Sequence, residues 1–320
     1  MKGAAYEPKG VIPAVLLPFD ADLNIDEKNY RRHLRQVVAT KGISAITVNG
    51  HSTEVLACSN DEQKRVLDIA LDEVGDLIPV VNGVFRDSTA EAGEVARWSE
   101  TAGAAALLVA PPSIFRDGVQ HKTQMAFSHF GCVAAATDLP IIKFQFQLES
   151  GMGLSVETQM ALCDEFPTIR ATKDACGNPV HLERTVRALQ GRSRPVNVLT
   201  THSAWLLQSL VAGCNGMLSG AGSTVADLQV ALFEAVQNNQ LSEARAIYDR
   251  YYPMAEAFYG APFVDMHNRM KEVQVILGRL PNANIRPPLV KISSEELKRL
   301  EAAVRAAGIG KEIAQASAGT

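Results

Sequence analysis

Apolar residues in this chain come in short, nearly unbroken runs, each followed by a longer stretch in which apolar positions recur at helical spacing. The first run, residues 10–19 (GVIPAVLLPF), shows no polar alternation, as expected of a strand buried on both faces of a parallel sheet. Residues 26–40 follow, with charged positions around Leu34, Val37 and Val38, and read as a helix. The unit then repeats. Strands are predicted at 43–48, 78–81, 105–109, 140–146, 168–174, 197–200 and 216–218. A helix is predicted from Ser59, which with Glu62 makes a capping-box signature, through Asp72, and others at 88–101, 119–136, 156–165, 204–211 and 225–236. Eight strand-then-helix units without a break in composition argue for an α/β fold closed on itself, a (β/α)8 TIM barrel, in preference to an open sheet.

The barrel domain is placed at residues 1–238. A C-terminal helical extension at 239–308 carries only helical patterns, at 242–251, 263–277 and 293–306, and the small, polar tail 309–320 is expected to be frayed.

Composition narrows the function classes. The chain has 320 residues, 47% of them hydrophobic, which is ample for a large core, and a net charge of -4 that gives no basic footprint for nucleic acid or an anionic membrane. The first ten residues contain no apolar signal core, and no apolar run is long enough to cross a membrane, so a cytoplasmic protein is expected. Five scattered cysteines without a C-x-x-C pair suggest reduced thiols, not a disulfide or zinc framework.

In such a barrel the active site lies at the C-terminal ends of the strands. Lys173 stands there on the sixth. If 168–174 is a regular strand, Ile169, Ala171 and Lys173 share one face, and the lysine tops an apolar wall. Poor solvation favours the neutral amine, which can attack a ketone to form a Schiff base. After the second strand come Gly50, His51, Ser52, Thr53 and Glu54, a turn whose hydroxyls and amides can hold a carboxylate or can serve only to cap the turn. His51 and, after the seventh strand, His202 are the histidines at strand tops, able to move a proton near neutral pH. Without H-E-x-x-H or a carboxylate at matching spacing, no metal and no cofactor is expected. Gly220 and Gly222 after the eighth strand lack the third glycine of a nucleotide-binding turn, so close packing explains them better than a flavin or nucleotide does.

The order of these segments resembles the dihydrodipicolinate synthase and N-acetylneuraminate lyase family of class I aldolases, over nearly the whole chain. Residues 50–54 (GHSTE) sit where the family has G-T-T-G-E, residues 140–151 (PIIKFQFQLESG) where it has P-[VI]-x-x-Y-N-x-P, and residues 169–177 (IRATKDACG) resemble I-x-G-[IL]-K-[ED]-[AS]-S-G. Residues 286–292 (RPPLVKI) are also similar to the family's C-terminal end. The resemblance implies that Lys173 condenses with the ketone of pyruvate or another 2-oxo acid. It implies that Ser52 and Thr53 clamp the carboxylate and that the Leu218 carbonyl lies near the imine; the residues themselves, Ser219, Gly220, Ala221 and Gly222, allow a close backbone approach after the eighth strand. A homotetramer built from dimers is the expected assembly.

Four departures qualify that expectation. The family's proton-relay tyrosine matches Phe144, which has no hydroxyl. The first threonine of the turn matches His51, a second tyrosine matches Ser113, and the arginine that reads the second substrate's carboxylate in the synthases matches Glu149. The leading expectation is therefore a Schiff-base lyase, aldolase or dehydratase, on a different 2-oxo acid, with His51, His202 or a water held by Ser113 replacing the phenol. The alternatives are an authentic 4-hydroxy-tetrahydrodipicolinate synthase and a non-catalytic 2-oxo acid-binding protein. Phe144, Phe146, Leu148, Ile114 and Phe115 suggest an apolar pocket for the far end of the substrate.

Overall fold

A computed structural model of the protein describes residues 6–201 and 203–310. Its strands are β1 (Gly10–Pro13), β2 (Ile46–Val48), β3 (Val80–Val84), β4 (Ala106–Val109), β5 (Ile141–Gln145), β6 (Ile169–Asp174), β7 (Asn197–Thr200) and β8 (Gly216–Ser219). The helices between them are α1 (Glu27–Val38), α2 (Asn60–Val74), α3 (Thr89–Ala102), α4 (Gln124–Ala134), α5 (Val156–Glu165), α6 (Pro179–Gln190) and α7 (Leu206–Val211). After β8 come α8 (Gly222–Gln237), α9 (Leu241–Tyr259), α10 (Met266–Ile276) and α11 (Ser294–Ala307).

The eight strands pair in parallel, in the order β1-β8-β7-β6-β5-β4-β3-β2, and bridges from Val11 to Ile43 and from Ala14 to Thr47 bring β1 against the β2 segment to complete the barrel. Alternation along each strand then makes two apolar layers. Leu107, Val109, Ile141, Val198 and Met217 face the helices, whereas Ile12, Leu108, Ile142, Phe144, Ala171, Leu199 and Leu218 fill the barrel. Each fully buried Leu, Ile or Val side chain contributes about 1.5–3 kcal/mol to holding the layers together. The Ser59–Glu62 capping box forms as expected, with Ser59 accepting from the Glu62 amide and Glu62 accepting from the Ser59 amide.

Several local expectations are corrected. The strand predicted over 10–19 is regular only over Gly10–Pro13, with Ala14 and Phe19 in isolated bridges, although residues 14–19 remain buried. A bulge shifts the register between β5 and β6, so that Ile141 pairs with Ile169 but Ile142 with Ala171. The extra residue, Arg170, turns Ile169 to the helix-facing layer, and only Ala171 shares the inner face with Lys173. Helix α6 was not anticipated, although Asn178 caps it, Pro179 sits in its first turn and Leu182, Val186 and Leu189 carry its buried stripe. Helix α9 continues past Pro253, beyond the 251 expected from the sequence, because the buried stripe of Tyr248, Tyr251, Met254, Ala255 and Phe258 outweighs the roughly 3 kcal/mol an internal proline costs. Among the described residues, no helix is long and apolar enough to cross a membrane.

Candidate active site

At the C-terminal ends of the strands lies a cavity of about 670 Å³. The barrel contributes Ala14, His51, Ser52, Phe144, Lys173 and Gly220 to its wall, and the C-terminal helices contribute Tyr259, His267 and Arg286.

Lys173 lies opposite Phe144 in the β5–β6 register and is 8% exposed. Its Nζ sits 4.1 Å from the centroid of the Phe144 ring, and no carboxylate or other hydrogen-bond acceptor among the described residues meets it. Burial without a compensating anion drives its pKa down to about 7. The ring face offers a cation some attraction but no proton. At neutral pH an appreciable share of this amine is therefore unprotonated, the form that adds to a carbonyl.

The turn after β2 presents the next groups. His51–Thr53 is one turn of 3-10 helix flanked by Asn49 and Glu54, both in the left-handed backbone region. The Ser52 side chain is buried, lines the cavity and has an Oγ with no hydrogen-bond partner. An unpartnered hydroxyl in such a place leaves a donor for a ligand oxygen. Thr53 is different. Its hydroxyl donates to the Gly50 carbonyl at 2.8 Å, and its side chain does not line the cavity. The His51 ring packs on Phe85, 4.6 Å between centroids, and lies 6.0 Å from Phe144. Burial and then the nearby Lys173 lower its pKa to about 4, so the imidazole is neutral at pH 7.

Glu54 anchors this turn to the C-terminal helices. One carboxylate oxygen accepts from Lys271 Nζ on α10 and the other from the Arg286 amide at 2.9 Å. The other bonds of Lys271 and Arg286 are equally fixed: Lys271 donates to the Asn284 carbonyl at 2.8 Å, and the Arg286 guanidinium is forked onto Glu62 at 2.9 and 2.5 Å.

Two residues that sequence reasoning missed complete the wall. His267 lies one helical turn before Lys271 on α10, and its Nε2 would be 3.1 Å from a Cβ placed on Gly220, so glycine there leaves room for the ring. Burial is again the main cause that lowers its pKa well below the usual histidine value, with His51 and Lys173 adding to it. Neither His267 nor His51 has a hydrogen-bond partner among the described residues. Tyr259 accepts from the Ala221 amide at 3.3 Å, and its hydroxyl is 3.4 Å from Ser219 Oγ. A search confined to strand tops passes over both. The usable signal was the i, i+4 spacing of His267 and Lys271 on a helix that also carries buried Met270 and Val273.

Other expected site residues lie elsewhere. Ser113 is exposed, its amide and hydroxyl engaged by Asp87 at 2.6 and 2.8 Å, and it does not line the cavity. Glu149 is exposed on the short turn Leu148–Ser150 and points to no part of the lining. The Leu218 side chain is buried inside the barrel below the cavity, while Gly220 reaches it. His202 falls outside the described residues. Among the described residues, no group of three or more His, Cys, Asp or Glu is placed to hold a metal ion.

A (β/α)8 barrel with an unpaired lysine inside its mouth and a free hydroxyl on the turn after β2 defines the class. The chain belongs to the dihydrodipicolinate synthetase family, whose profile matches residues 7–307. Among its relatives, the 4-hydroxy-tetrahydrodipicolinate synthase of Gluconacetobacter diazotrophicus is 30% identical over 302 residues, 94% of this chain and 97% of that protein. An uncharacterised DapA-like lyase of Halobacterium salinarum is 29% identical over 296 residues, 92% of each chain. The fold is shared with the dihydrodipicolinate synthase of Thermotoga maritima (TM-score 0.86, 21% identity, 95% of this chain and 99% of that one). It is equally shared with YagE of E. coli K12, a prophage protein of the same family solved in complex with pyruvate (TM-score 0.86, 22% identity, 94% and 99%).

Proposed function

We propose that the protein is a lyase that forms a Schiff base between Lys173 and a 2-oxo acid. The observation that carries this is the burial of the Lys173 amine without an anionic partner, at the end of β6 in the cavity. A buried, uncompensated ammonium destabilises a fold and is retained where its chemistry is used. Family membership and the pyruvate bound by the E. coli relative support the same reading.

The neutral amine adds to the ketone, one of its protons passes to the oxygen, and with a second proton taken from solvent that oxygen leaves as water, giving a protonated imine. That cation lies over the Phe144 face, while Ser52 Oγ donates to the carboxylate. The imine withdraws electrons, so either a C–C bond one carbon further out breaks and its electron pair is held as an enamine, or a C–H proton is lost to give the enamine, which then expels a hydroxyl together with the C–O electron pair. Because Phe144 has no hydroxyl, the neutral imidazole of His51 takes the departing proton, and His267 is the second base in reach of the cavity. The assembly carried over from the family is a homotetramer.

Incubation with pyruvate and borohydride, followed by intact mass measurement, is expected to add one reduced adduct. Lys173→Ala is expected to abolish it. An equal adduct in that variant, or none in the parent, removes the proposal. A second reading, a 2-oxo acid-binding protein without turnover, is favoured by the missing phenol at Phe144. It predicts no hydrogen exchange at the methyl of bound pyruvate, whereas the lyase predicts exchange that His51→Ala slows by about 10²-fold or more.

A further inference from the structure

Three residues lining the cavity carry a formal charge: Lys173, Glu54 and Arg286. Both oxygens of Glu54 are engaged, by Lys271 and by the Arg286 amide. The Arg286 guanidinium has five N–H donors, and all are committed. Nε donates to the Leu23 carbonyl at 3.0 Å, Nη1 to the Ala57 carbonyl and Glu62 at 2.9 Å each, and Nη2 to the Leu23 carbonyl at 2.7 Å and Glu62 at 2.5 Å. Among the described residues, the one cation a ligand can meet is therefore Lys173, which the ketone consumes. A second carboxylate entering this cavity would shed water and find no counter-charge, which is unfavourable by several kcal/mol.

Much of the remaining wall is apolar, interrupted by the neutral polar groups of His51, Ser52, Gln147, Thr201, Tyr259 and His267. Phe144 and Phe146 stack with centroids 4.3 Å apart. Toward the mouth, Leu56, Val264 and Phe263 line the cavity while 78%, 62% and 58% exposed. Large apolar side chains left in water around a cavity are covered favourably by an apolar ligand. With Ser52 as the carboxylate partner at the inner end, these rim residues lie at the outer end, where the remote part of a substrate emerges.

We infer that the substrate is a monocarboxylic 2-oxo acid whose end remote from the carboxylate is uncharged, apolar and of aromatic size. This rests on the Schiff-base reading above and specifies its substrate class. Polyhydroxylated sugar acids and dicarboxylic 2-oxo acids are the classes it excludes.

Borohydride trapping with three acids of the same reacting group separates the outcomes: pyruvate, 2-oxo-4-phenylbutanoate and 2-oxoglutarate. Half-maximal trapping by the phenyl acid is expected at a concentration about 10-fold or more below that of the other two, the effect of burying one aromatic ring. Phe146→Ala is expected to remove most of this advantage while pyruvate still traps. Leu56→Lys, on the exposed rim, is expected to narrow the gap in favour of 2-oxoglutarate. If pyruvate traps but the phenyl acid is no better than 2-oxoglutarate, the inference falls and the Schiff-base reading stands. If none of the three traps, both fall.

Discussion

Lys173 and Lys271 are buried to similar degrees, 8% and 1% exposed, and each ammonium lies over a phenylalanine ring, Phe144 at 4.1 Å and Phe19 at 4.3 Å. What separates them is the rest of the shell. Lys271, on α10, donates to Glu54 and to the Asn284 carbonyl, whereas Lys173, in the barrel mouth, has the ring face alone. Burial lowers both pKa values, but for Lys271 the Glu54 carboxylate opposes the shift. A third buried lysine, Lys143, faces the helices and is held by the side-chain oxygens of Gln145 and Gln159 at 3.2 and 3.0 Å. Burial alone therefore does not mark a reactive amine. Burial without an acceptor favours the neutral amine, and that condition sets Lys173 apart from the other two.

The comparison breaks most visibly by truncation. Lys271→Met strands the Glu54 carboxylate in a buried site and is expected to destabilise the fold by about 3–5 kcal/mol in urea denaturation. Lys173→Met removes a charge that had no partner and is expected to be neutral or stabilising by about 1 kcal/mol. Equal losses in the two variants would show that Lys173 has a partner after all.

A smaller effect comes from pH. The folded-state pKa of Lys173, about 7, lies below its unfolded value, so between the two the unfolded chain holds a proton that the native protein lacks. Stability attributable to this residue therefore rises with pH above about 7 and levels off near 10.4, at up to about 1.4 kcal/mol per pH unit. The parent is expected to gain about 2–3 kcal/mol relative to Lys173→Met between about pH 7.5 and 9.5. His51 acts in the acid range with the matching sign. Its folded pKa, about 4, is also lowered, so its contribution is lost as pH falls from about 6.5.

The smallest effects belong to Ser113 and Glu149, which lie outside the cavity lining. Ser113→Ala and Glu149→Ala are each expected to change stability by less than about 0.5 kcal/mol and pyruvate trapping by less than about twofold. A larger loss of trapping would bring either residue back to the site.

Much of the fold could be read from the sequence because a parallel barrel writes each strand as an apolar run and each helix as a periodic one. The failures are equally physical. A one-residue bulge at Arg170 leaves no mark in an apolar run, yet it reverses the facing of Ile169. The helical pattern read over 242–251 stopped short of the end of α9 because local spacing holds no information about what packs against Tyr251 and Phe258. Lys173, His51 and Ser52, singled out from their position at strand ends, line the cavity. His267 and Tyr259 were not singled out, since a residue arriving from an outlying helix is brought in by tertiary packing and carries no local signature. Pairwise matching to a motif placed Ser113 and Glu149 by alignment, where the chain's own loop geometry turns them outward.

The bond between Glu54 and Lys271 joins positions 217 residues apart. On the ribosome, a chain that has released its barrel strands still lacks α10 and Arg286, and the turn bearing Ser52 has nothing to lean on. The cavity can be completed only after Arg286 emerges, so the Lys173 amine acquires its surroundings long after its own strand has been made.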